Sequence, residues 1–486
     1  MLTFEKEMPE RTGIPSTRII NMVQRLEARQ IPMHSLLILH HDKLITEAYY
    51  APCHAQTQHR MFSISKSFTS IAIGFLAEEG KLSINDPIVK YFPEFLPENI
   101  HPFLSSMTIR DMLMMRTCHA QTTYKRDPSV NWVKSFFITP PTHPAGTIFH
   151  YDTSAAHTLC ALVEKLTGMD MLDYLKQKLS LLSLSEDSYM LKDPFGTSMG
   201  GTGLVATSMD LLKFGYFIAH KGKINGKQLL SAQYIHLATS NLSDTCVSAP
   251  IKGEAAGYGL QFWRNEQGGY TCYGMGGQLI IFLPEYDLIC VTTADTQGIG
   301  GGNQQIYDAL YEEILPYISS TDLPVHQDTY SSYTEALFGL AISPVAGSLQ
   351  SPVMNRINGK EFHFSYGKKG YSNVCISFSK IGQKEKTDSD NTIGHLLFTY
   401  ENQEYHIDFG MGFLVSGILP IYDFKCAASG AWLPDGTLYI KVHVIDSSVG
   451  SIKFQLCFQE ESLTIFMRKQ EETLFQEFDG HIYLTI

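Results

Sequence analysis

The chain has 486 residues, 44% of them hydrophobic and 18% charged, and a formal net charge of −12. That length exceeds one ordinary domain and predicts two or three, with enough apolar side chain for a large core. The acidic balance argues against nucleic acid or anionic membrane as the main partner, because both need a basic surface. The opening residues, MLTFEKEMPERTGIPS, are acidic early and carry no apolar h-region, so no secretory signal is expected. No run of about 18 apolar residues predicts a membrane helix. The nine cysteines (53, 118, 160, 246, 272, 290, 375, 426 and 457) are scattered and form no C-x-x-C pair. Reduced thiols in a cytoplasmic protein fit that pattern better than a disulfide framework or a zinc site.

In chain order, HSLLILHHDKLITEAYY (34–50) reads as two strands around a polar His41-Asp42-Lys43 turn. MFSISKSFTSIAIGFLAEEG (61–80) follows as a helix of about five turns stopped by Gly80. Its apolar residues, among them Ile64, Phe68, Ile71 and Phe75, surround most of the circumference, which predicts a helix buried between layers. Further helices are predicted over 107–116, 153–168 and 208–222, strands within 269–294, and a helix over 303–318. Strands at both ends of this region with helices between them imply a sheet joining its early and late parts. Residues 321–352, rich in Ser, Thr and Pro, read as a linker or bridging segment. Beyond them alternation takes over: Leu438, Ile440, Val442 and Val444, then Ile452 to Phe458, Leu463 to Met467, and Ile482 to Ile486. Short alternating strands separated by turns predict an antiparallel barrel or sandwich.

Two serine motifs compete for chemistry. Ser63 and Lys66 form an S-x-x-K, and three residues along a helix bring both side chains to one face. A lysine held near the hydroxyl and partly desolvated would lose proton affinity and could take or relay the serine proton. The same spacing at Ser365 and Lys368 falls in a strand-rich region and reads as chance. Residues 196–200, GTSMG, fit G-x-S-x-G around Ser198. That motif needs a strand before it and a helix directly after it, and a glycine-rich loop is the plainer reading here. Gly298-Ile299-Gly300 lacks the third glycine of a dinucleotide fingerprint. His40, His41, His119, His150 and His157 show no metal-ligand spacing. No cofactor is implied.

The ordered set of segments resembles the serine beta-lactamase and penicillin-binding protein family of the class C type. Residues 61–94 are similar to its nucleophile helix, 144–168 to its tyrosine motif, 200–215 to its glycine-rich turn and helix, and 272–293 to its third-motif strand. The likeness covers about residues 15–318. It implies an α+β fold: a mixed, mostly antiparallel sheet flanked by helices, with a helical subdomain. A C-terminal antiparallel β-barrel of lipocalin-like character is common in such relatives. The implied organisation is a catalytic domain over 1–320, the bridging segment, and a barrel over 353–486.

The same resemblance implies roles. Ser63 would be the acylated nucleophile and Lys66 its activating partner. Tyr151 would be general base or proton relay, then acid for the leaving group. The backbone N–H groups of Ser63 and Met275 would form the oxyanion hole, and Thr153, Cys272, Tyr273 and Gly274 would line the substrate. Two positions depart from the family pattern: Thr153 replaces the usual Asn, and Cys272-Tyr273-Gly274 replaces Lys-Thr-Gly or His-x-Gly. The lost cation predicts a small neutral ester or amide as substrate in place of a beta-lactam. The alternatives are a ligand-binding protein that has lost activity, a true beta-lactamase or D-Ala-D-Ala peptidase, and a hydrolase using Ser198. A bacterial, cytoplasmic enzyme is expected, with its oligomeric state open.

Overall fold

The computed structural model describes residues 2–249, 251–380 and 391–486. It divides into two compact units, Met1–Tyr49 with His54–Leu340, and Tyr50–Cys53 with Ala341–Ile486.

The first unit is built on a seven-stranded sheet. Its strands are β1 (Glu5–Lys6), β2 (Met33–His40), β3 (Lys43–Tyr49), β4 (Trp263–Arg264), β5 (Tyr270–Gly274), β6 (Gln278–Leu283) and β7 (Leu288–Ala294). The spatial order is β1-β3-β2-β7-β6-β5-β4, antiparallel except for the β1–β3 edge. His41 and Asp42, at φ of 49° and 61°, make the two-residue turn between β2 and β3, a backbone twist that suits a tight hairpin. β2, β6 and β7 are buried at every position, so both faces of the sheet are covered.

Six helices of this unit matter below: α1 (Ser16–Ala28), α2 (Ile64–Glu78), α3 (Ile109–Leu113), α4 (Thr153–Thr167), α5 (Ser208–Ala219) and α6 (Gln304–Glu313). α5 lies on the face that carries Ile280, Phe282 and Ile289, close enough that a Cβ at Gly215 would sit 2.9 Å from Ile280 Cγ2. α2 is buried at every residue from Ile64 to Leu76, as its all-round apolar pattern requires. Phe68 of α2 stacks on Phe214 of α5 with ring centroids 3.8 Å apart.

Three expectations shift. The helix predicted over 107–116 is only α3, started by a Thr108–Asp111 capping box and ended as the chain turns at Met115, φ 56°. The helix predicted over 303–318 ends at Glu313, and Pro316 falls in a tight turn over Leu315–Tyr317, since proline cannot continue an α-helix. The stretch 321–352, expected as a linker or bridging segment, carries α7 (Gln327–Phe338), which belongs to the first unit: Tyr333 Oη donates to Ile45 O at 2.7 Å and lies 3.0 Å from Thr46 Oγ1 on β3.

The second unit is a closed nine-stranded barrel. Its strands are β8 (Lys360–Gly367), β9 (Tyr371–Lys380), β10 (Thr392–Tyr400), β11 (Gln403–Met411), β13 (Phe424–Trp432), β14 (Leu438–Ile445), β15 (Val449–Phe458), β16 (Ser462–Gln470) and β17 (Gly480–Thr485). β12 (Val415–Leu419) pairs on the outside of this ring with β13. The neighbours are antiparallel except at the closure, where Gly410 and Met411 of β11 pair in parallel with Ser429 and Gly430 of β13. The predicted inward residues Leu438, Ile440, Val442, Val444, Ile465 and Met467 are buried in one core. Ile486, expected on the same face, is 56% exposed.

Replacing Phe68 by Ala should destabilise the first unit by about 3–5 kcal/mol, the range for emptying a large aromatic site in a core. Urea unfolding monitored with a first-unit probe would measure it, and a loss below about 1 kcal/mol would contradict the packing described.

Candidate active site

Ser63 is the N-cap of α2. The preceding residue, Phe62, sits at φ 46°, a conformation that costs a bulky residue free energy and persists only where neighbours hold it. Those neighbours are visible: Met61 N–H donates to Leu204 O at 2.8 Å, and Ser65 Oγ donates to Phe62 O and accepts from Leu204 N–H. The sharp bend places Ser63 at the positive end of a helix of 15 residues.

Lys66, one turn on, is 1% exposed. Its Nζ lies 2.8 Å from Ser63 Oγ, 2.6 Å from Gly201 O, and 4.7 Å from the centre of the Tyr151 ring. Burial drives its affinity for a proton down to about 7; the nearby Asp152 carboxylate opposes this and the Lys125 charge assists it. Gly201 can bring its carbonyl so close because it has no side chain: a Cβ there would sit 2.6 Å from Thr153 Cγ2 on α4. Thr153 is therefore a packing neighbour of the glycine turn, and its N–H donates to Thr122 Oγ1.

Tyr151 precedes α4, whose N-cap is Asp152. Burial and the charge of Glu254 raise the phenol far above its ordinary value, while the Ser63 hydroxyl draws it down. The ring lies among Phe149, Tyr258, Trp263 and Tyr273. It stacks on Trp263 at 5.4 Å and 28°, and meets Tyr258 edge-on at 6.2 Å.

The third-motif strand, β5, comes against this group because Gly274 lacks a side chain: a Cβ there would be 2.4 Å from Met61 O. The turn that follows is tied down. Gly274 O accepts from Asn303 Nδ2 at 3.1 Å and Met275 O accepts from Gln278 Nε2 at 2.8 Å. Among the described residues, neither the Ser63 nor the Met275 backbone N–H is seen to donate a hydrogen bond within the protein. Strand alternation separates the other two motif residues. Cys272 is fully buried in the core beside Ser67, with its thiol pushed up to about 12. It turns away from the cluster expected to contain it, and Tyr273 alone of that pair reaches the ring cluster.

Sequence reasoning missed four participants: Asp152, Gly201, Trp263 and Glu254. Glu254 is 3% exposed, and burial pushes its carboxyl up to about 7 against the pull of the Tyr273 hydroxyl. Ser198, the rival nucleophile, is buried and is followed by a turn and the short strand Leu204–Ala206, without the helix its motif needs. Among the described residues no group of His, Cys, Asp or Glu is arranged to hold a metal ion, and no helix is long and apolar enough to cross a membrane.

Gly274→Ala should force β5 away from Met61 and cost about 1–3 kcal/mol, the usual penalty for overpacking. Chemical denaturation would read the loss, and an unchanged midpoint would contradict the close approach.

Residues 19–310 match the Beta-lactamase family. Over 298 residues the chain is 24% identical to the 6-aminohexanoate-dimer hydrolase of Paenarthrobacter ureafaciens, covering 57% of this chain and 75% of that protein. Among solved structures it shares its fold with EstCE1, a hydrolase with promiscuous acyltransferase activity. That likeness has TM-score 0.50 and 18% identity, covering 62% of this chain and 99% of EstCE1. A penicillin-binding protein homologue from Caulobacter crescentus is similar at TM-score 0.50 and 16% identity, over 64% of this chain and 100% of that one. With the match spanning well over half its length and this fold beneath it, the chain belongs to the Beta-lactamase family of serine hydrolases.

Proposed function

We propose that the protein is a serine hydrolase of the class C beta-lactamase type that cleaves esters or amides through an acyl-enzyme on Ser63. The observation that carries this reading is the buried Lys66 amine 2.8 Å from Ser63 Oγ. With its pKa near 7, about half of the Lys66 population is unprotonated at neutral pH and can accept the serine proton. Tyr151, raised in the opposite direction, stays protonated and serves as donor. Opposite perturbations of two adjacent groups divide the acid and base work between them.

In acylation, Lys66 Nζ takes the hydroxyl proton as Ser63 Oγ bonds to the substrate carbonyl carbon. The negative charge moves to the carbonyl oxygen, where the Ser63 and Met275 N–H groups receive it. Collapse of the adduct breaks the bond to the leaving group, which takes a proton from the Tyr151 phenol, and Lys66 reprotonates Tyr151. Water then adds to the ester, its proton passing to Lys66, and Ser63 leaves with a proton from the same relay. Acylation and deacylation each end with Lys66 and Tyr151 back at their starting charges.

The third-motif positions support poor use of beta-lactams. Cys272 is buried away from the cluster, and the carboxyl nearest Tyr273 is Glu254, so the usual cationic partner for a carboxylate is replaced by an acid.

A fluorophosphonate probe should label Ser63 in the native protein and fail to label Ser63→Ala, read by mass spectrometry of the peptide. The labelling rate should rise about tenfold per pH unit below pH 7 and level above it, because Lys66 is a blocked ammonium below its pKa and a free amine above it. A rate independent of pH between 5 and 9 (an interval spanning about two units either side of that pKa) would remove Lys66 as the base. In steady-state assays, a chromogenic cephalosporin should have kcat/KM at least about 100-fold below that of a neutral phenyl ester, the scale of discrimination a mismatched polar site imposes. Equal values would restore the beta-lactamase reading.

A further inference from the structure

Glu254 takes no part in the steps above, yet its position is closely defined. It ends a short turn, Lys252–Glu254, whose backbone is held at two points: Gly253 N–H donates to Gln304 Oε1 at 2.7 Å, and Glu254 O accepts from Thr245 Oγ1 at 2.6 Å. The nearby Tyr273 hydroxyl lowers the proton affinity of the carboxyl, and the carboxylate charge is felt at Tyr151 and Tyr307. Burial raises its proton affinity and the Tyr273 phenol lowers it, and among the described residues no Lys, Arg or His is seen in an ion pair with it. A buried carboxylate without a cationic partner is costly. The turn packs against β4, whose Trp263 is the centre of a group of aromatic rings: Tyr258 is 4.8 Å from it, Tyr151 5.4 Å, Phe149 5.8 Å and Tyr273 6.1 Å between centroids. Aromatic faces attract cations, best when water is excluded. A carboxylate beside a phenol adds its negative charge to the field over the ring, so Glu254 reinforces the attraction of the Tyr273 face for a cation.

We propose that the Glu254 carboxylate and the rings of Tyr151, Trp263 and Tyr273 form a subsite for an organic cation, so that the substrates are esters or amides whose leaving group carries an alkylammonium. The assignment to the leaving-group side rests on the hydrolase reading, in which the Tyr151 phenol protonates the departing atom. Groups gathered around that phenol therefore face the part of the substrate that departs. The subsite inverts the charge preference of a site built for a carboxylate. Lys125, a cation whose charge acts on Lys66, is itself exposed.

The test uses three butyrate esters of similar size: the choline ester, the 3,3-dimethylbutyl ester as its neutral isostere, and the ester of 3-hydroxypropionate as the anion. Choline is permanently charged, so only the protein titrates. At about pH 8, where most of Glu254 is ionised, kcat/KM for the choline ester should exceed that of the neutral isostere at least about tenfold, with the anion slowest. In Glu254→Gln the cation-to-neutral ratio should fall at least about fivefold. A ratio near one in the native protein, a preference for the anion, or an unchanged ratio in the variant would each overturn the subsite.

Failure of the hydrolase reading looks different: none of the esters turns over, or Ser63→Ala turns them over equally. In that case calorimetric titration with tetramethylammonium decides. Binding weakened at least about fivefold by Glu254→Gln supports the subsite, and no heat of binding in the native protein overturns it.

Discussion

Everything at the site depends on one lysine being out of water. Lys66 has a carbonyl and a serine hydroxyl as its close polar neighbours, and an ammonium in that position lacks the third acceptor it would have in solvent. Desolvation thus weakens its hold on a proton, and the Asp152 carboxylate beneath Tyr151 limits how far this goes. Without Asp152 the amine would be a weaker base still; with a salt bridge in place of Gly201 O it would not be a base at neutral pH at all. The site works in a narrow electrostatic window, set by which groups are near and which are kept away.

The geometry around that lysine is made by close backbone approaches more than by long side chains. Gly201 and Gly274 each occupy a place where a single Cβ would collide with a neighbouring element, one with α4 and one with the strap before Ser63. The bend at Phe62 supplies the third fixed point. A hydrogen-bonded frame of Ser65, Leu204, Asn303 and Gln278 then holds carbonyls inward and leaves two N–H groups free. Rigid main chain costs little reorganisation when charge develops, which is the requirement for stabilising an oxyanion.

Parts of this were legible in the sequence for clear physical reasons. A helix apolar all round has to be buried, so a lysine inside it must be desolvated, and the interval from Ser63 to Lys66 fixes their common face. The barrel strands declared themselves by alternation, since period two holds for every half-buried strand. What stayed hidden was non-local. The phase of β5, which sends Cys272 into the core and Tyr273 to the rings, is set by the pairing of Gly274 with Gln278 and the packing against Met61. Neither is written in the tripeptide. Glu254 lies in no motif and on no regular element long enough to show a period. The closure of the barrel through Gly410 and Met411 depends on a partner strand beyond β12. Short helices such as α3 were overestimated because apolar residues continued past the point where Met115 turns the chain.

The strained bend at Phe62 has a further meaning. The strap it belongs to is held in part by contacts with Leu204, far along the chain, and Gly201, from the same distant segment, helps to keep Lys66 out of water. Let that segment drift away, and the backbone at Phe62 relaxes while water reaches the amine. The lysine then regains its proton. On the reading proposed above, an incompletely folded or partly opened chain would carry an ordinary alcohol at Ser63.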